Sequence, residues 1–226
     1  MLKNSSKYCY DNGVLINKKN IRDASMLDAF SRDVTTFRIS QLSCDNKVIK
    51  DFFRMEDYLN LHKFLFSDIF PFAGEIRDES IYKSNEPYFV DEYNKTSIFA
   101  IPNSIVQQLT KNLSLMKEKV RFIKNRDDLL NYLSYFYGEI NVIHPFREGN
   151  GRTLRTYLKL LVDYLNSYFP PEMGEFEIDY SLWDSGDREE LLRSTIICNV
   201  TCNYSYIKRC FDKVLVSKEK LKKKSR

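Results

Sequence analysis

The chain has 226 residues, 43% hydrophobic and 29% charged, with a formal net charge of +4. It is long enough to bury a sizeable core, too weakly basic to argue for a nucleic-acid surface, and without the 18 consecutive apolar residues of a membrane span. Five cysteines (Cys9, Cys44, Cys198, Cys202 and Cys210) are an odd number at spacings unlike a disulfide framework. The opening MLKNSSKYCYDNG lacks an apolar signal core, so a cytoplasmic protein with reduced thiols is expected.

Only 7 Gly and 6 Pro are present, fewer than many-turned β-folds need, and the balance favours helices. Residues 21–42 have a helical period, with Met26, Leu27, Phe30, Val34, Phe37 and Leu42 on one face and Asp23 as cap. Residues 48–66 repeat it through Ile49, Phe52, Phe53, Tyr58, Leu61 and Leu65, until Phe70-Pro71-Phe72-Ala73-Gly74 breaks it. Then β-prone Ile81-Tyr82 and Tyr88-Phe89-Val90 flank the polar turn at 83–87, predicting a hairpin over about 79–92 and the only sheet. Helices follow over 97–119 and 126–143, the second striped by Leu129, Leu133, Phe136, Tyr137 and Ile140. Leu154, Leu158, Leu161 and Leu165 predict another, to about Tyr168. The stretch PPEMGEFEIDYSLWD reads as a connector, and two last helices cover 187–199 and 203–216. The expectation is one all-α domain over 1–216, with an N-terminal extension at 1–20 and one short β-hairpin, then a solvated basic tail at 217–226.

The chemistry concentrates in HPFREGNGRTLR, residues 144–155. His144 continues the stripe of the preceding helix, and Pro145 forces a break, so the imidazole is delivered to a loop mouth. Gly149-Asn150-Gly151 lets successive N–H groups converge on an anion where the next helix begins and its dipole adds positive potential. Arg152 and Arg155 share a face of that helix. Cations there oppose the dipole, so two of them argue for an anionic ligand such as a phosphate chain. Glu148 beside this basic nest suggests a magnesium ion shared with phosphates. The residues alone predict a phosphate site with a metal carboxylate and an adjacent base, and leave the reaction open.

The same twelve residues match the Fic family signature His-Pro-Phe-x-Asp/Glu-Gly-Asn-Gly-Arg-x-x-Arg. YCYDNGVLINKKNIRD resembles the family's N-terminal segment, LHKFLFSDIFPFAGEIRD its helix and Ala-Gly-x-x-Arg element, and LLRSTI falls where its late helix lies. The resemblance covers roughly residues 8–215. It implies a helical protein adenylyltransferase that moves AMP from Mg·ATP to a Ser, Thr or Tyr hydroxyl of a target protein. By resemblance, His144 is the general base, Glu148 holds Mg²⁺, and Gly149, Asn150 and Gly151 form the anion hole with the Asn150 side chain at the α-phosphate. Arg152 takes the β-phosphate and Arg155 the γ-phosphate. Phe146 anchors the loop in the core. The hairpin resembles the family's flap, implying that Ile81, Tyr82 and Lys83 contact an extended stretch of target.

Gly151 stands where the phosphorylating Doc branch has Lys, which favours AMP transfer. Of the family's self-inhibitory Ser/Thr-x-x-x-Glu-Gly/Asn pattern, only Ser114…Glu118 and Ser185…Glu189 come near, and neither ends in Gly or Asn. The chain therefore resembles the toxin class, implying a separate small antitoxin that supplies a glutamate to Arg155. The alternatives are a secreted host-directed effector and a non-catalytic nucleotide-binding module.

Overall fold

A computed structural model describes residues 6–44, 48–85 and 96–219. Helices α1 (Ala24–Cys44), α2 (Met55–Phe66), α3 (Pro102–Lys119), α4 (Arg126–Ile143), α5 (Asn150–Leu165), α6 (Ser185–Thr201) and α7 (Ser205–Val214) carry the architecture. Among the described residues, the strands are three residues each. β1 (Tyr82–Ser84) pairs antiparallel with β2 (Thr96–Ile98), and β3 (Phe176–Ile178) with β4 (Leu215–Ser217). The expected helical fold is what the chain adopts, and no helix among the described residues could cross a membrane.

α4 is the central pillar, with α3, α5, α6 and α7 all packed against it. Its start is set locally: the Asn125 side chain accepts the Asp128 N–H at 2.9 Å, and Asp127 and Asp128 sit in the first turn, where the dipole favours negative charge. Its stripe of Leu129, Leu133, Phe136, Tyr137 and Ile140 is buried. Each such side chain contributes about 1.5–3 kcal/mol, so the helix that ends at His144 is anchored along its length.

Four expectations need correction. The partner of β1 is Thr96–Ile98, so Lys83 and Ser84 are strand rather than turn, and Ser97 is strand rather than helix. The predicted strand at 88–90 lies outside the described residues, as do residues 86 and 87 of the turn. The hairpin is not the only sheet: β3 rises from the supposed connector and pairs with β4, which takes Ser217 out of the supposed tail. Lys218 is anchored too, bridging Asp163 at 3.1 Å and Glu175 at 3.8 Å; residues 220–226 lie outside the description. Residues 48–54 are not helical, although Ile49 and Phe52 are buried as their pattern suggested.

α1 shows a subtler departure. Asp23 caps it through the Met26 N–H at 2.8 Å, and Leu27 and Leu42 are buried, but Met26 and Phe37 are exposed. The middle of its inward face is Ser31 and Thr35. The helix turns two hydroxyls inward because α5 presents them with a guanidinium.

Candidate functional site

Two helix ends meet here, and each is finished differently. At the end of α4, His144 takes the left-handed conformation (φ 49°, ψ 60°), which costs a non-glycine residue about 1–2 kcal/mol. Arg77 holds it there. This arginine is 1% exposed. Its Nε donates to the His144 carbonyl at 2.7 Å, Nη2 to the Ile143 carbonyl at 3.3 Å, and Nη1 to the Glu79 carbonyl at 2.7 Å. The Arg77 N–H donates to the Pro145 carbonyl at 2.9 Å. A cation at the negative end of a helix is also favoured electrostatically.

The imidazole is 5% exposed and stacks on Phe99, ring centroids 4.0 Å apart. Nδ1 lies 3.1 Å from the Asn141 carbonyl. A carbonyl only accepts, so Nδ1 carries the proton and Nε2 keeps a lone pair. Burial, followed by the positive charges of Lys83 and Arg77, pushes the His144 pKa down to about 3. The ring is a neutral base at neutral pH.

At the start of α5, Gly149 is the N-cap residue, with φ 83°. A Cβ there would lie 2.5 Å from the Phe66 ring, so glycine is required by both conformation and space. Gly151 is ordinary helix, and its Cβ would meet only the end of the Arg155 side chain, at 3.1 Å. The expected run of permissive glycines thus reduces to Gly149, and Gly151 matters for the side chain it lacks. Among the described residues, the N–H groups of Gly149, Asn150, Gly151 and Arg152 donate to no backbone acceptor. They are the orphan donors of a helix start.

The Asn150 side chain is committed to the loop: Oδ1 accepts the Phe146 N–H at 2.9 Å and Nδ2 donates to the Phe146 carbonyl at 2.7 Å. Any part it takes at a phosphate is limited to its second Nδ2 hydrogen and its backbone. Phe146 is fully buried, its ring 3.7 Å from His62 and 5.7 Å from Tyr58. Glu148 is half-exposed, with Oε1 3.3 Å from Arg152 Nη2. Arg152 also donates to Ser31 Oγ at 2.7 Å and lies over the Phe66 ring at 4.8 Å. No carboxylate pairs with Arg155 among the described residues, and its guanidinium lies beside Tyr137.

The flap residues separate. Ile81 is 9% exposed, which leaves little of its side chain for a partner to contact. Tyr82 is 65% exposed opposite Ile98. Lys83 sits 5.8 Å from the Phe99 ring, on the His144 side. Sequence reasoning passed over Ser31 and His62, and met Arg77 only as the arginine of the Ala-Gly-x-x-Arg element, without a role. His62 is completely buried; its Nε2 donates to the Glu148 carbonyl at 2.9 Å, and its Nδ1 accepts the Gly74 N–H at 2.8 Å. The signal was present, since a histidine on the apolar face of Tyr58, Leu61, Leu65 and Phe66 must find partners.

Among the described residues no cluster of three or more metal-ligating side chains occurs. A divalent ion here would rest on Glu148 and on ligand oxygens. One carboxylate with substrate phosphates is how magnesium is ordinarily bound, and Glu148 is exposed enough, with a partner distant enough, to fit.

A Fic/DOC family model matches residues 52–162. The chain is 32% identical over 153 residues to the probable protein adenylyltransferase y4lH of Sinorhizobium fredii, covering 67% of this chain and 71% of that one. The chain belongs to the Fic/DOC family. It is also 30% identical over 190 residues to the protein adenylyltransferase VbhT of Bartonella schoenbuchensis, covering 82% of this chain but spanning only 34% of that relative. Both relatives are named as protein adenylyltransferases, which are nucleotidyltransferases. Among solved structures, BepC of Bartonella tribocorum, with bound AMPPNP, superposes at a TM-score of 0.75 with 19% identity, covering 93% of this chain and 97% of that one. That likeness bears on the fold alone.

Proposed function

We propose that the chain transfers AMP from Mg·ATP to a hydroxyl side chain of a target protein. The observation that carries this is the presence on one short loop of two groups: a neutral His144 whose Nε2 has no hydrogen-bond partner among the described residues, and the unused N–H groups of Gly149, Asn150 and Gly151. The target oxygen attacks the α-phosphorus as its proton passes to His144 Nε2. The bond from the α-phosphorus to its bridging oxygen breaks, and pyrophosphate leaves. The N–H groups and the α5 dipole stabilise charge on the phosphate chain, with Arg152 toward the β-phosphate and Arg155 toward the γ-phosphate. Magnesium, held by Glu148, would neutralise charge on the leaving group. The negative charge of the nucleotide raises the His144 pKa from its low value towards the working range.

Gly151 leaves the cradle floor bare and supports AMP over phosphoryl transfer. Two labelled nucleotides test this. Label transferred to protein from α-labelled but not γ-labelled ATP fits the proposal; the reverse would mean a kinase, and no transfer of either would favour a nucleotide-binding module.

The target is gripped through the hairpin, where Tyr82 and Lys83 are accessible and Ile81 is not. Arg155, without a carboxylate partner among the described residues, supports a bacterial toxin restrained by a separate antitoxin whose glutamate occupies the γ-phosphate position. Expression without a partner should arrest growth in the wild type and not in His144→Ala. Equal growth of both would count against the toxin role and leave a host-directed effector.

A further inference from the structure

We propose that His62 is a positioning residue that aims the phosphate cradle. The proposal rests on the AMP-transfer reading. His62 belongs to α2 and does not reach the reacting atoms; it acts on one peptide plane. Its Nε2–H holds the Glu148 carbonyl at 2.9 Å on the core side of the loop. In a trans peptide, C=O and N–H point in opposite directions. Fixing the Glu148 carbonyl inward therefore fixes the Gly149 N–H outward, toward the cradle.

The same bond has a second effect. The Thr153 N–H bonds the Gly149 carbonyl at 2.9 Å, and the Glu148 carbonyl is the acceptor that the Arg152 N–H would take if α5 began one residue earlier, four residues being the helical separation. That helical bond is absent and His62 has the carbonyl instead. His62 thus keeps two donors, at Gly149 and Arg152, from being absorbed by the protein.

Three contacts make the imidazole a fixed strut. The Gly74 N–H donates to Nδ1 at 2.8 Å, so the proton must reside on Nε2, the nitrogen that faces Glu148. The Phe146 ring lies 3.7 Å from the imidazole centroid at 12°, and Phe66 stacks behind it at 4.7 Å. Gly74 also begins the segment that leads to Arg77 and hence to the His144 carbonyl. The base and the cradle are therefore referenced to a single turn of chain.

The test compares His62→Phe, which keeps the stack and removes both hydrogen bonds, with His62→Gln, which can restore a donor. His144→Ala serves as comparator. The probe is ATP with Mg²⁺, measured for Kd by calorimetry and for KM and kcat by label transfer. His62→Phe should raise Kd and KM at least tenfold while kcat at saturating ATP stays within about threefold, and His62→Gln should recover most of the loss. His144→Ala should do the opposite, binding normally and failing to transfer. A folded Phe variant that binds ATP as the wild type does would overturn the proposal.

A measurement on the wild type stands if the Phe variant does not fold. With ¹⁵N-labelled histidine and glycine, two imidazoles and seven glycines give a countable spectrum. The His62 Nε2–H signal should be present and should move with the Gly149 amide at one ATP affinity. A His62 signal indifferent to ATP overturns the proposal. A wild type with no ATP affinity overturns the functional reading and the proposal together.

Discussion

The C-terminus of α4 and the N-terminus of α5 are separated by the six residues 144–149 and are built on opposite principles. At the end of α4 the carbonyls are satisfied: Arg77 takes His144 and Ile143, and Ala100 donates its N–H to Val142 at 3.1 Å. At the start of α5 the donors are left over. The first arrangement fixes one side chain in a conformation it would not choose. The second presents backbone to a ligand that has yet to arrive. A base needs a held position and a phosphate site needs unmet donors, so one loop joins an over-satisfied helix end to an under-satisfied one.

Removing the base tests the first half most severely. His144→Ala should lower transfer by 10²–10⁴-fold, about 3–5 kcal/mol of barrier, while ATP affinity changes little. Equal loss of binding and rate would mean that the ring serves the cradle rather than the chemistry. Next in size is Arg77→Met, which leaves the buried carbonyls of His144 and Ile143, and the partly buried one of Glu79, without their donor. About 3–5 kcal/mol of stability should be lost, at about 1–3 kcal/mol for each carbonyl left unpaired, read by denaturant unfolding. A loss below 1 kcal/mol would show that the left-handed turn holds itself.

Acid tests both halves together, because each depends on a neutral histidine. His62 and His144 have folded pKa values of about 3, lowered chiefly by burial from 6.5. The unfolded chain binds the extra protons, so this stability is complete above pH 6.5 and falls as pH drops from 6.5 toward 3. Two such groups predict a loss of about 3 kcal/mol at pH 5.5 relative to pH 8. That size is insensitive to how far below 5 the folded values lie. A flat stability profile between pH 8 and 5.5 would mean that both rings titrate in the folded protein as they do in the unfolded chain.

How much of this was legible in the sequence follows from how local each feature is. The α4 stripe, the His144-Pro145 break and the cluster at 148–155 are contiguous, and their chemistry could be read directly. What escaped was distant. His62 reaches Glu148 across 86 residues and Arg77 reaches His144 across 67. β3 and β4 are three residues each and pair Ile178 with Leu215, too short for a period and too far apart for a turn signal. α1 misled for a different reason: its apolar pattern was sound, but Arg152 made a polar face the buried one, drawing Ser31 inward and leaving Met26 and Phe37 outside. The side-chain role expected of Asn150 was similarly blind to what the loop itself needs, which is an amide closing both ends of Phe146.

The smallest effects sharpen the contrast within the cradle, where two glycines differ by two positions and by everything else. Gly149→Ala forces an alanine into φ 83° and a Cβ to 2.5 Å from Phe66. It should cost about 2 kcal/mol of stability from the left-handed penalty alone, with ATP binding weakened as the loop shifts. Gly151→Ala enters an ordinary helical position, where alanine is favoured over glycine by about 0.5–1 kcal/mol, and its only close neighbour is the movable end of Arg155. Its stability should therefore hold or rise slightly while ATP affinity falls, because the new methyl stands where phosphate would approach the bare backbone. Thermal melts with and without ATP separate the two variants. If Gly151→Ala bound ATP as well as the wild type, close approach at that residue would not be part of the site, and the bare cradle floor would lose its bearing on AMP transfer over phosphoryl transfer.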